Sequence, residues 1–157
     1  MTAVDEGALP TVKFLLEEEY ATTAHQNCKG ETPMHQAILK RKSAVAKLLR
    51  SSDEQTQVLT LNTTSGESCL HYAARYFTPE ELHCLLRFYQ RHEGVGGEGR
   101  ALWNSANSAG TTALFLVATS ASDSLDDRNA KTRLMFRADA KLLGSHPFFE
   151  TAPKEDL

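Results

Sequence analysis

The chain has 157 residues, of which 41% are hydrophobic and 24% charged, with a formal net charge of −3. That length suits one compact unit with a sizeable core. The composition is ordinary for a soluble globular protein, and the charge gives no electrostatic case for nucleic acid as a main partner. No apolar run approaches the roughly 18 residues of a membrane span. The three cysteines, Cys28, Cys69 and Cys84, are too few and scattered for a disulfide framework. The N-terminus, Met-Thr-Ala-Val-Asp-Glu, lacks the basic-then-apolar order of a secretory signal. An intracellular, reducing compartment is expected, with the cytoplasm as the default.

In chain order, the first predicted helix spans 10–20, with Leu15 and Leu16 on its apolar side. Residues Gly30–Ala37 read Gly-Glu-Thr-Pro-Met-His-Gln-Ala. Gly30 suits a positive-φ turn, Thr32 an N-cap and Pro33 the first helical position. Met34, Ala37 and Ile38 share one face of a helix over 33–41. Ser43 is placed to cap a second helix over 44–51, with Val45, Leu48 and Leu49 as its apolar stripe.

The string returns 36 residues later as Gly66–Ala73, Gly-Glu-Ser-Cys-Leu-His-Tyr-Ala. It predicts a helix over 69–77. Thr78-Pro79-Glu80-Glu81 then starts another over 79–92, with a cap, a proline and two acids near the positive end of the dipole. A degenerate third copy, Gly-Thr-Thr-Ala-Leu-Phe-Leu-Val, begins at Gly110. It predicts helices over 112–120 and 127–143, the second with Ala130, Leu134, Met135, Ala138 and Leu142 inward. Residues 144–157 form a tail.

An internal repeat of this period fixes architecture first. The string resembles the ankyrin repeat, whose signature is Thr-Pro-Leu-His-x-Ala within about 33 residues. Leu15-Leu16 precedes Leu48-Leu49 by that period, so the N-terminus resembles the back half of a repeat whose front half is absent. The resemblance implies an all-α, ankyrin-type solenoid of about three to four helix–turn–helix repeats with long connecting loops. A partial repeat falls at 4–20 and fuller ones near 27–51, 63–92 and 107–143, a repeat domain over 1–143. The departures are Met34 for Leu, Arg41 where the family usually has Gly, Ser68-Cys69 for Thr-Pro, and Phe115 for His. The family's connecting segments form projecting fingers, here 21–29, 52–65 and 93–109. Within them Val58–Leu61 is β-prone.

Chemistry-bearing motifs are sparse. Gly94–Gly99 matches Gly-x-Gly-x-x-Gly but follows a helix rather than a strand, so it reads as a turn. His35 and His71 share one slot, which in the family hydrogen-bonds adjacent turns together. Cys69, His71, His83 and Cys84 lack zinc spacing, and both cysteines are expected to be packed. No catalytic, cofactor or metal site is expected. Lys40-Arg41-Lys42 with Lys47 and Arg50 forms a local basic cluster, read as a solvated helix face, the alternative being a contact for an acidic partner surface. Asn62-Thr63-Thr64 is a glycosylation sequon, idle inside a cell.

The resemblance implies a non-catalytic protein–protein interaction or scaffolding module, an accessory subunit of a larger assembly. The alternative is a regulatory or targeting segment of a larger enzyme or channel. The family's contact positions map to Cys28, Lys29, Glu31, Leu39 and Lys40, then to Thr64, Ser65, Glu67, Tyr72, Arg75 and Tyr76. Tyr72, Arg75 and Tyr76 are the favoured anchors, since Tyr and Arg dominate hot spots. The alternative for the two tyrosines is packing between repeats. Phe148 and Phe149 either cap the stack or dock into a partner.

Overall fold

The computed structural model describes residues 1–18, 24–52, 64–91, 105–120 and 123–144. Val58–Leu61, the Gly94–Gly99 run, Asn62 and the Phe148-Phe149 pair lie outside them. The described residues form helices joined by turns and one isolated bridge, Ala106 to Thr112, with no strand.

Four helix pairs follow one another. They are α1 Thr2–Glu6 with α2 Leu9–Glu17, α3 Pro33–Leu39 with α4 Ser43–Ser52, α5 Cys69–Tyr76 with α6 Pro79–Arg91, and α7 Ala113–Thr119 with α8 Leu125–Gly144. First helices pack on first helices, α1 on α3, α3 on α5 and α5 on α7. Of the second helices, α2 packs on α4 and α6 on α8. Between α4 and α6 a cleft of about 190 Å³ opens instead, with Met34, Ala46, Phe77 and Leu85 in its walls. The core is continuous along the stack, from Val4 and Val12 through Ile38, Leu49, Leu70 and Leu85 to Val117 and Met135. No pair could bury this surface alone, and at about 1.5–3 kcal/mol per buried large aliphatic side chain the stacking creates the core.

The N-terminal pair corrects one expectation. A front half is present, as the five-residue helix α1. Its sequence carries no cap or proline signal, and Val4 is its one fully buried anchor. It closes on Gly7 at φ 74°, with Gly7 N–H donating to the Val4 carbonyl and Ala8 N–H to the Ala3 carbonyl. Helix α3 closes in the same way, with Arg41 N–H on Ile38 and Lys42 N–H on Ala37. This is the Schellman closure, and it puts Arg41 at φ 53°.

A left-handed arginine is strained by roughly 1–2 kcal/mol, part of which glycine forfeits through its extra freedom when unfolded. Arg41→Gly is therefore expected to stabilise the chain by about 0.5–1 kcal/mol, read as a higher urea midpoint at unchanged slope.

Other local expectations shift by one contact. Ser43 begins α4 but its hydroxyl donates to Glu81 of α6. Glu81 also accepts from Thr78 N–H at 2.9 Å while its own N–H reaches the Thr78 hydroxyl, so the expected α6 start is a full capping box. Among the described side chains of α8, Met135 and Ala138 are buried as expected and Lys131 joins them, while Ala130 and Leu134 are only half-buried. Cys69 is fully buried, which pushes its thiol well above the usual range. Cys84, expected in the core, is exposed at the α4–α6 cleft.

Candidate protein-binding face

The repeated string builds a repeated joint. In the first full repeat the Thr32 hydroxyl and N–H both meet His35 Nδ1, at 2.8 and 3.3 Å, and His35 N–H reaches back to Thr32 Oγ1. Because Nδ1 accepts, Nε2 carries the proton, and it donates to the Glu67 carbonyl of the next repeat at 3.2 Å. In the second repeat Ser68 replaces Thr, and its N–H and hydroxyl meet His71 Nδ1 at 3.1 and 2.9 Å. His71 Nε2 then donates to the Thr111 carbonyl at 3.0 Å. Each imidazole therefore bolts its own turn to the backbone of the following one. Burial holds both below the usual histidine range, His35 to about 4, against the opposing effect of the carbonyl each Nε2–H serves. In the third copy the slot holds Phe115, which is 58% exposed.

The fingers are also built to a pattern. Asn27 Oδ1 accepts from Lys29 N–H and Glu31 N–H, both at 2.9 Å. Asn107 Oδ1 does the same for Ala109 and Thr111, at 3.0 and 2.9 Å. These are Asx turns, in which a side-chain amide substitutes for the backbone. Gly30 and Gly110 supply the positive φ in each, at 75° and 74°. Finger two is tied to finger three by Ser108, whose N–H and hydroxyl both reach the Ser65 carbonyl, at 2.9 and 2.8 Å.

Two carboxylates, Glu31 and Glu67, occupy equivalent positions in the two repeats. Glu31 is 5% exposed and accepts from Asn27 Nδ2 at 3.0 Å, from Gln36, and from the Tyr72 hydroxyl of the next repeat at 3.1 Å. Glu67 is 7% exposed and accepts from Asn107 Nδ2 at 3.1 Å and from Arg75 at 2.6 Å. Burial works to raise the Glu67 pKa, but Arg75 and Asn107 outweigh it and the carboxyl sits below its ordinary value. Tyr72 also packs edge-on against His35, with ring centroids 4.8 Å apart.

The expected contact residues thus divide. Glu31 and Tyr72 are hydrogen-bonded across the two repeats, and Tyr72 is buried, 7% exposed. Arg75 is half-committed to Glu67, with its side chain 36% exposed. Lys29 and Lys40 are exposed, and Leu39 and Tyr76 half-buried. Tyr76 stands 6.3 Å from Tyr72, tilted against it. The expected basic cluster does not form a single patch. Lys47 and Arg50 line the α4–α6 cleft opposite Glu80, Lys42 lies over Gly7, and Lys40 and Arg41 sit at the end of α3.

A polar centre that sequence reasoning missed lies further along. Lys131 of α8 is 1% exposed; its ammonium donates to Asp123 at 2.7 Å and to the Ala74 carbonyl at 3.3 Å. Ala74 lies in the last turn of α5, and its natural donor, Thr78 N–H, is engaged by Glu81. Lys131 therefore caps α5 from another repeat, near the negative end of its dipole.

A family model of ankyrin repeats, in three copies, matches residues 1–92. The chain belongs to the ankyrin repeat family. No curated protein matches the chain closely enough to add a relative. Ankyrin repeats generally mediate protein–protein interaction, and the family is generally non-catalytic. The joint just described is the ankyrin stack in this chain, extended past the matched residues by the α7–α8 pair. Among the described residues no group of three or more His, Cys, Asp or Glu could hold a metal ion. No described helix is long and apolar enough to cross a membrane.

Proposed function

We propose that this ankyrin chain is a non-catalytic recognition subunit, holding a segment of another protein on the face made by the finger loops and the row of first helices. One observation supports this reading. Positions that are alike between repeats, such as Thr32 and Ser68, His35 and His71, and Ala37 and Ala73, are buried and build the joint. Positions at the ends of the first helices differ from repeat to repeat and reach solvent: Leu39 and Lys40, Arg75 and Tyr76, Thr119 and Ser120. A surface that varies on a constant scaffold is suited to recognition. As part of an assembly the chain would supply this face and no chemistry.

Lys40→Glu with Tyr76→Ala tests it, against Lys47→Glu with Arg50→Glu on the α4–α6 cleft as the control. Affinity purification with quantitative mass spectrometry is expected to lose the same co-purifying proteins in the first variant only. The thermal midpoint of the control should stay within about 4 °C of the parent, as surface changes of under ~0.5 kcal/mol imply. The first variant, which loses the half-buried Tyr76 ring packed on the core, should fall further but remain folded at the assay temperature. Equal loss in both variants, or retention in both, would sink the reading.

A further inference from the structure

We infer that the segment held on the finger face is acidic, and that it sits over the first full repeat, gripped by Lys29, Lys40 and Arg41. This rests on the finger face being the binding face.

The shared Schellman closure fixes the register between α1 and α3, since Gly7 and Arg41 hold the same place. Asp5 then corresponds to Leu39 and Glu6 to Lys40, while the Gly30 and Gly66 strings align these with Arg75 and Tyr76. Read along the stack, the ends of the first helices change from Asp5 and Glu6, to Leu39 and Lys40, to Arg75 and Tyr76, to Thr119 and Ser120. The chain as a whole carries −3, yet its exposed charges over the first full repeat are positive. Lys29 projects from the finger at one end of α3, and Lys40 and Arg41 stand at the other. Seven helical residues separate the two ends by about 10 Å, the span of three extended residues.

The two acids that sequence places among these positions do not offset the cations at the surface. Glu31 is covered, and its oxygens are taken by Asn27, Gln36 and Tyr72. Glu67 is answered by Arg75, so that pair contributes no net charge, only the remaining guanidinium donors. None of Lys29, Lys40 and Arg41 forms an ion pair among the described residues. Arg41 adds an independent observation. It keeps a left-handed backbone that glycine would adopt without strain, and what it gains in exchange is an exposed cation beside Lys40. Strain retained at one residue suits a site better than a scaffold. The exposed acids Asp5 and Glu6 repel the same segment at the next register and so set where it stops. Leu39 and Tyr76 lie between and beyond the cations as half-buried contact area, which suits a polypeptide with apolar side chains among its acids better than a nucleic acid backbone.

Selection of a random dodecapeptide library on the full chain tests this. The expected binders are enriched in Asp and Glu and weaken steeply with added salt. They lose about tenfold or more in affinity on Lys40→Glu, a like-charge contact replacing an attractive one. Arg41→Gly provides the sharper readout, because it should weaken these peptides while raising the urea midpoint, a combination that a purely structural role for Arg41 cannot produce. Neutral or basic binders that weaken on Tyr76→Ala would overturn the acidic inference and leave the finger face standing. Binders indifferent to both Lys40→Glu and Tyr76→Ala would overturn the face itself. A thymidine dodecanucleotide that competes as well as the peptides, or a library that yields no binder, would also overturn the proposal.

Discussion

Asp123→Ala is expected to destabilise the chain by about 3–5 kcal/mol, the usual cost of removing one partner from a buried ion pair. The substitution leaves the Lys131 ammonium, 1% exposed, with the Ala74 carbonyl as its remaining described partner. Lys131→Met keeps the apolar stem and removes the charge. It strands Asp123, whose side chain is 13% exposed and so closer to water, and it frees the Ala74 carbonyl. That loss should be smaller, about 1–3 kcal/mol. The double variant Asp123→Ala with Lys131→Met is expected to recover most of the deficit of Asp123→Ala alone, since neither charge is then buried unpaired. Urea unfolding of the three variants measures the cycle. A cost under about 1 kcal/mol for Asp123→Ala would mean that the pair behaves as a solvated one and that α5 is not held from α8 in this way.

The second large effect is on pH. His35 titrates near 4 in the fold and near 6.5 when unfolded, and His71 is shifted in the same direction. Above about 6.5 both are neutral folded and unfolded, so their contribution is complete. As pH falls below 6.5 the unfolded chain binds protons that the folded chain refuses, and stability declines. The decline from His35 levels off once pH passes about 4. At about 1.4 kcal/mol per pKa unit, His35 alone accounts for a loss of about 3 kcal/mol between pH 7.5 and 4. Glu67, shifted below its usual value, adds its own loss only at lower pH. His35→Gln should be less stable at neutral pH and flatter in its pH profile. A parent chain equally stable at pH 7.5 and 4.5 would show that these imidazoles are not buried bolts between repeats.

What the sequence makes legible follows from how local each interaction is. Thr32, Pro33, His35 and Ala37 act within one turn, so spacing alone reveals the cap and the short helix. The 36-residue return of the string reveals the stack. The Tyr72–Glu31 and Arg75–Glu67 contacts are not legible in the sequence, because the first spans 41 residues and the second depends on how a long side chain folds back along α5. The signal was nonetheless present, since Glu31 and Glu67 hold the same slot and a repeated acid beside a turn glycine invites a shared structural role. Lys131 is not legible as a buried group, because a lysine is rarely buried without a partner. Its spacing to Met135 and Ala138, both expected inward, places it on their face, whereas Ala130 and Leu134 lie towards the edge of that face. Helix α1 is not legible because its five residues span little more than one helical period and bury only Val4.

The central claim is that Leu39, Lys40, Arg75 and Tyr76 meet the partner while the stack merely presents them. Amide chemical-shift mapping of the labelled chain, titrated with a peptide from the library selection, tests it most directly. The predicted result is a continuous set of shifts over Cys28–Gly30, Leu39–Arg41 and Arg75–Phe77, with Val45–Ser51 and Leu82–Gln90 unmoved. Shifts concentrated on those second-helix segments, around Lys47, Arg50 and Cys84, would contradict it and move the binding site to the α4–α6 cleft.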